Sequence, residues 1–201
     1  MIKHIIFDLG QVLVKVDLKP FVEQFSKAFN IEPHELRNNK NDGAYIDFQA
    51  GRLTGNDFYR KTCELYNQSI PLDRFKAIWS SMLVGEVEGT AAIASKLFDK
   101  NYKLAILSNT DPWHFQLCEK MLPVLQKFER RFLSYDLKLR KPDAAIYLIV
   151  AEKLAARPEH CLFIDDLEEN IAAAKRLNFH TIRFQNAEQL SKELINMGIA
   201  L

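Results

Sequence analysis

The chain has 201 residues, 48% of them hydrophobic, and a formal net charge of +1 at pH 7. That length suits one domain, or one domain carrying a sizeable insert, and the apolar share supplies a core and excludes a disordered polymer. The near-neutral balance argues against a protein that lives on nucleic acid or acidic membranes, while a small anionic ligand needs only one or two local cations.

The start, Met1-Ile2-Lys3-His4, enters a short apolar run that meets an acid at Asp8, which suits neither a signal peptide nor a membrane span. Ile5-Ile6-Phe7 reads as a strand covered on both faces, as in a parallel sheet. From about Asp17 to Glu86 the pattern turns helical, with no convincing strand. Phe21, Phe25 and Phe29 form an i, i+4, i+8 stripe. Phe58, Cys63, Leu65 and Tyr66 mark a second stretch, and Phe75, Ile78, Trp79 and Met82 a third. Thr54 or Asn56 is the candidate N-cap of the second stretch. Tyr45, Phe48, Gln49 and Arg52 fall in an irregular part of this segment and are its candidates for facing a ligand.

Beyond residue 86, apolar runs recur at Leu104-Ala105-Ile106-Leu107, Phe132-Leu133-Ser134-Tyr135, Leu162-Phe163-Ile164 and Thr181-Ile182-Arg183-Phe184. Helical periodicity separates them at Ala91 to Leu97, Ile146 to Leu154 and Ile171 to Leu177. Alternation of this kind means βαβ units. The expected architecture is an α/β Rossmann-like parallel sheet, residues 1–16 and 87–201, with residues 17–86 inserted as an α-helical cap. Cys63, Cys118 and Cys161 have no metal-ligand spacing and read as reduced thiols, so the expected setting is cytoplasmic. His4, His160 and His180 likewise carry no ligand spacing.

Ligands of open parallel sheets bind outside the carboxyl ends of the strands. Those ends read Asp8-Leu9-Gly10-Gln11, Ser108-Asn109-Thr110, Arg140-Lys141-Pro142-Asp143 and Asp165-Asp166. Converging carboxylates with carbonyl oxygens suit a hard cation such as Mg²⁺. The metal and a lysine would neutralise phosphoryl charge. An aspartate with an ordinary pKa of about 4 is ionised without help and can attack phosphorus directly. Ser108 can hold a phosphate oxygen or cap a helix, Asp165-Asp166 can also cap one, and Trp113 and His114 either flank an entrance or pack.

All four strand-end motifs, in order and over nearly the whole chain, resemble those of the haloacid dehalogenase superfamily. Phe7-Asp8-Leu9-Gly10-Gln11-Val12-Leu13 is similar to its first motif and Leu107-Ser108-Asn109-Thr110 to its second. Arg140-Lys141-Pro142-Asp143 with Ile146-Tyr147 is similar to the third, and Phe163-Ile164-Asp165-Asp166 with Asn170 to the fourth. The helical insert sits where that family places a small cap. Within the family, the likeness is to bacterial sugar-phosphate phosphatases of the α-glucose-1-phosphatase kind and to the phosphatase domain fused to some epoxide hydrolases. The resemblance implies a phosphatase in which Asp8 becomes an aspartyl-phosphate. It further implies Mg²⁺ held by Asp8, the Gly10 carbonyl and Asp166, with Asp165 supporting through water, and Ser108, Asn109 and Lys141 binding the phosphate of a small phosphorylated metabolite.

One position departs. Most phosphatases of that family carry a second Asp two residues after the nucleophile as general acid, and here that position is Gly10. Such an acid contributes roughly 10²–10⁴-fold in rate. A substrate with a good leaving group, such as an anomeric sugar oxygen, would lessen the need for it, and Asp17 or another cap residue is a candidate proton source. Two other readings accommodate the missing acid, although relatives of the first kind usually carry an aromatic where this chain has Gly10. A 2-haloacid dehalogenase needs no metal and leaves Asp165-Asp166 poorly explained. A phospho-ligand sensor would keep the site without turnover.

Overall fold

Continuous apolar runs make the middle of the molecule because both faces of each strand are covered. The computed structural model describes residues 1–38 and 43–201. In chain order it begins with β1 (His4–Phe7), β2 (Val14–Val16), α1 (Leu18–Phe29) and α2 (Pro33–Asn38). It continues through α3 (Gly43–Gln49), α4 (Gly55–Leu65), α5 (Leu72–Ser80), β3 (Leu83–Glu86) and α6 (Thr90–Asp99). Then follow β4 (Lys103–Ser108), α7 (Pro112–Met121), β5 (Arg130–Leu133), the single turn α8 (Ser134–Leu137) and α9 (Ala144–Lys153). The chain ends with β6 (Cys161–Asp165), α10 (Glu168–Arg176), β7 (His180–Arg183) and α11 (Ala187–Asn196).

The sheet order is β5-β4-β1-β6-β7, parallel throughout. Strand side chains alternate between two cores. Ile5, Phe7, Leu104, Ile106, Leu162 and Ile164 pack on one face, and Ile6, Ala105, Leu107 and Phe163 on the other. This arrangement brings the ends of β1, β4 and β6 side by side, with β1 central.

The aromatic stripe builds a third core within the helices that follow β2. Phe25 stacks on Phe29 with centroids 4.2 Å apart, Phe48 on Phe58 at 4.7 Å, and Phe21 meets Trp79 edge-on at 5.4 Å. Offset and edge-to-face pairs of this kind are favourable beyond their buried area. Thr54, not Asn56, caps α4: its hydroxyl accepts the Asp57 N–H at 3.1 Å.

Three sequence expectations need correction. The segment from Asp17 to Glu86 does contain a strand, since β3 pairs antiparallel with β2 and returns the chain to the sheet. It is only four residues long and includes Gly85 in an extended positive-φ conformation, so it carries no strand signature. The run Phe132 to Tyr135 is strand only as far as Leu133, because β5 is an edge strand that starts in exposed arginines and Ser134 opens a helical turn. Tyr45, Phe48 and Gln49 lie on helix α3, not in irregular chain. Among the described residues no helix is long and apolar enough to cross a membrane.

Glycine lets α3 approach the sheet layer closely. Gly51 has φ +65°, and a Cβ there would lie 2.0 Å from the Tyr135 carbonyl oxygen. Gly51→Ala is therefore expected to lower unfolding free energy by about 1–3 kcal/mol, since left-handed backbone and a backbone collision act together. Gly43→Ala, where nothing lies within 4 Å of the added Cβ, serves as the near-neutral control in chemical denaturation.

Candidate active site

Asp8 is the first residue beyond β1. Its N–H still donates to the Ile164 carbonyl at 2.8 Å, and a tight turn follows in which the Leu13 and Val14 N–H groups donate to Leu9. The carboxylate, 8% exposed, accepts the Leu9 N–H at 2.7 Å and lies 2.9 Å from Lys141 Nζ. Lys141 is buried too, and its ammonium donates to Asp8, to Asp165 at 2.6 Å and to the Leu107 carbonyl at 3.0 Å. Its three protons thus bind groups at the ends of β1, β6 and β4, as a buried cation requires.

One ammonium serves two carboxylates. Burial pushes the Asp8 carboxyl up to about 7, against the pull of Lys141 and with added repulsion from Asp165. Burial alone would lower the Lys141 pKa, but Asp8 and Asp165 outweigh it and hold the lysine above its ordinary value. Asp165 is saturated: it accepts from Lys141, from the Leu167 N–H at 2.9 Å and from Asn170 Nδ2 at 3.0 and 3.1 Å. Asn170 is in turn anchored through its carbonyl, which accepts the Tyr147 hydroxyl at 3.1 Å. Asp166 is half-buried, takes no side-chain donor from another described residue, and is raised by burial and by Asp165.

Oxygens of Asp8, Asp165 and Asp166 all lie within 4.8 Å of one another. Three carboxylates against one ammonium leave uncompensated negative charge, and an all-oxygen set of this size fits a hard divalent cation. The residues present therefore fit Mg²⁺, with Asp166 the carboxylate freest to ligate.

The other strand ends are arranged as follows. Ser108 is 3% exposed at the end of β4, and its hydroxyl has no hydrogen-bond partner among the described residues. The Asn109 side chain is committed to the neighbouring loop: Oδ1 accepts the Lys141 N–H at 2.9 Å and Nδ2 donates to the Lys141 carbonyl at 2.8 Å. It positions the lysine. Asp143 caps α9 and Asp17 caps α1, so both acids are tied to helix ends. Phe48 is 1% exposed inside the helical core, and Arg52 pairs with Asp47 at 2.7 Å on the surface. Of that group, Gln49 and Tyr45 reach the loops of the sheet, through Arg140.

Two positions that brace the strand-end loops escaped the sequence reading. Ser134 holds the end of β4: its Oγ accepts the Thr110 N–H at 3.0 Å and donates to the Gln49 carbonyl at 2.6 Å. Asp111, fully buried, caps α7 through the Trp113 and His114 N–H groups and also accepts Trp79 Nε1 at 3.1 Å. The Asp111-Pro112 pair is a readable helix start; its partner on α5 is not. His114 stacks on Trp79, and Trp113 packs edge-on against Phe48 at 5.0 Å, so both residues join the layers, while the exposed part of Trp113 lines a surface cleft with Lys76 and Lys120.

Carboxylates and a buried lysine at adjacent ends of a parallel sheet, with a helical layer inserted after the first strand, define a Rossmann-like hydrolase architecture. The haloacid dehalogenase-like hydrolase profile matches residues 2–178, and the chain belongs to that family. It is 26% identical to D-ribitol-5-phosphate phosphatase from Bacteroides thetaiotaomicron, over 96% of this chain and 97% of the relative. Flavin mononucleotide hydrolase 1 of Arabidopsis thaliana is 24% identical over 97% of this chain and 77% of its own length. Among solved structures, a HAD family enzyme from B. thetaiotaomicron in complex with magnesium and inorganic phosphate superposes with a TM-score of 0.87. It is 28% identical, with 96% of this chain and 99% of the other covered.

Both ring nitrogens of His114 face acceptors, Asp111 Oδ2 at 2.9 Å and the Trp79 carbonyl at 3.0 Å, an arrangement that favours the imidazolium. Burial opposes that charge, but Asp111 and the Trp79 carbonyl prevail and raise the His114 pKa. A raised folded-state pKa stabilises fully below the unfolded value of about 6.5 and is lost as pH rises through the folded value. The melting temperature of wild type should therefore fall, relative to His114→Gln, as pH is raised from about 6.5. Parallel melting curves across that range would contradict the assignment.

Proposed function

We propose that this chain is a Mg²⁺-dependent phosphatase that moves the phosphoryl group of a small phosphorylated metabolite first to Asp8 and then to water. The observation that carries this reading is the Asp8 carboxylate, 2.9 Å from a buried ammonium and within 4.8 Å of two further carboxylates. A nucleophile, a fixed cation and the ligands for a second cation lie together at one edge of the sheet, which is what attack on an anionic ester requires.

In the first step an Asp8 oxygen bonds to phosphorus as the ester P–O bond breaks, and the departing alkoxide takes a proton from water. In the second, water attacks phosphorus, inorganic phosphate leaves and the Asp8 carboxylate returns. Lys141 orients Asp8 and offsets phosphoryl charge, Ser108 offers an unpartnered hydroxyl to a phosphate oxygen, and Asn109 holds the lysine loop. Mg²⁺, held by Asp8, the Gly10 carbonyl and Asp166, with Asp165 outside the first ring of ligands, would supply charge neutralisation at the ester.

Two relatives support a narrower substrate class. D-ribitol 5-phosphate and flavin mononucleotide both carry phosphate on the terminal carbon of a ribityl chain. That chemistry favours a primary ester of a sugar or polyol over the anomeric ester that Gly10 alone suggests. Gly10 is not imposed by the backbone: its φ is not left-handed, and a Cβ would meet only Val16 Cγ2 at an ordinary 3.7 Å. The missing acid is thus a chemical difference, not a steric one. A dehalogenase reading leaves the third carboxylate without a purpose, and a sensor reading is separated by turnover.

Phosphate release from ribitol 5-phosphate and from p-nitrophenyl phosphate tests the proposal. Asp8→Asn should lower both rates by roughly 10³-fold or more, and EDTA should abolish them until Mg²⁺ is restored; turnover that persists in EDTA would sink the metal. Asp166→Asn should raise the Mg²⁺ concentration needed for half-maximal rate. Gly10→Asp should raise kcat on the alkyl ester by about tenfold or more, and less on the aryl ester, whose leaving group needs no acid. An equal gain on both would mean that the proton comes from elsewhere.

A further inference from the structure

The seam between the helical layer and the strand-end loops contains a charged group that the proposed mechanism does not use. Arg140 immediately precedes Lys141, in a loop fixed by the two Asn109 hydrogen bonds. Its guanidinium turns towards the helices, where Nη2 donates to Gln49 Oε1 at 2.9 Å. The Gln49 amide continues the chain by donating from Nε2 to the Tyr45 hydroxyl at 2.7 Å. The Gln49 backbone is held as well, because its carbonyl accepts the Ser134 hydroxyl that also receives the Thr110 N–H, two residues beyond Ser108. Arg140 is therefore fixed from both layers beside the loops that carry Lys141 and Ser108.

Two features go unexplained by a merely structural role. Among the described residues no carboxylate pairs with Arg140, although the residue is half-buried. Its Nε–H is buried with no acceptor among the described residues. A guanidinium presents its donors in a rigid fork, and burying one of them unpaired is unfavourable unless a ligand or water completes it. Its hydrogen-bond partners are neutral: the Gln49 amide and, through it, the Tyr45 phenol, whose pKa burial and the Asp111 carboxylate push up to about 12. The site thus offers a positioned donor next to neutral polar groups, which suits hydroxyl oxygens.

We propose that Arg140, held by Gln49 and Tyr45, is a specificity-determining residue that donates from its Nε–H to a hydroxyl of the substrate's polyol chain beyond the scissile ester. The inference rests on the phosphatase reading above and adds to it the residue that distinguishes a polyol ester from any other phosphate ester. A site built to hydrogen-bond a substrate hydroxyl discriminates strongly against analogues that lack it.

The test compares kcat/KM for ribitol 5-phosphate with that for p-nitrophenyl phosphate, which has no hydroxyl chain. Arg140→Gln should lower the ratio of the two about tenfold, mainly through KM for the polyol ester. Gln49→Ala, which frees the guanidinium without removing it, should lower the same ratio to a smaller extent, and it decides the matter if Arg140→Gln does not fold. A ratio unchanged within about twofold in folded variants overturns the inference while leaving the phosphatase intact: the Nε–H would then be completed by water, or Arg140 would serve the phosphate alone. A wild type that hydrolyses neither ester removes the phosphatase reading and the inference with it.

Discussion

A single buried ammonium shared between two carboxylates is the interaction on which the rest of the molecule depends. Lys141 Nζ reaches Asp8, Asp165 and the Leu107 carbonyl at once, so three strand ends are tied at one atom. An isolated charge in such a place would be costly, and removing any one partner leaves another uncompensated. The surrounding groups serve that constraint. Asn109 pins the lysine backbone, Asn170 closes both oxygens of Asp165, and Tyr147 fixes Asn170 from beneath the sheet. What remains open is the Asp8–Asp166 side, where negative charge exceeds positive.

The parts of this arrangement legible in the sequence were those with a local signature. Ile5 to Phe7 and Leu162 to Ile164 announced strands because both their faces are buried, and the residues just past them had to lie at a sheet edge. The phenylalanine stripe at 21, 25 and 29 announced a core because its spacing puts three rings on one face. Parts that depend on a distant partner stayed hidden. Nothing near Asp111 points to Trp79, nothing near Ser134 points to Gln49, and β3 becomes a strand because β2 is waiting for it. The bonds from Asn109 to the Lys141 backbone were equally hidden, since an asparagine suits a phosphate and a loop backbone alike.

The aromatic core of the inserted helices does not stop at their boundary. It continues onto α7 through Trp113 and His114, the helix capped by Asp111 just beyond Ser108. Packing that organises the helical layer therefore also braces the loop at the end of β4. Arg140, Gln49 and Tyr45 bridge the same boundary with polar contacts, so the boundary beside the Lys141 loop is built by both layers.

The sheet order has a consequence for how the protein comes into being. β1 is made first, yet it lies between β4 and β6, and Asp8 finds its counter-ion and its fellow carboxylates only in segments synthesised much later. Parallel strands close through long crossovers, so such contacts form late in folding. On the ribosome, Asp8 emerges early as an ordinary solvated aspartate. The cluster of charges is complete only once β4 and β6 have joined β1 and Lys141 has reached Asp8, so it is a property of the finished fold alone.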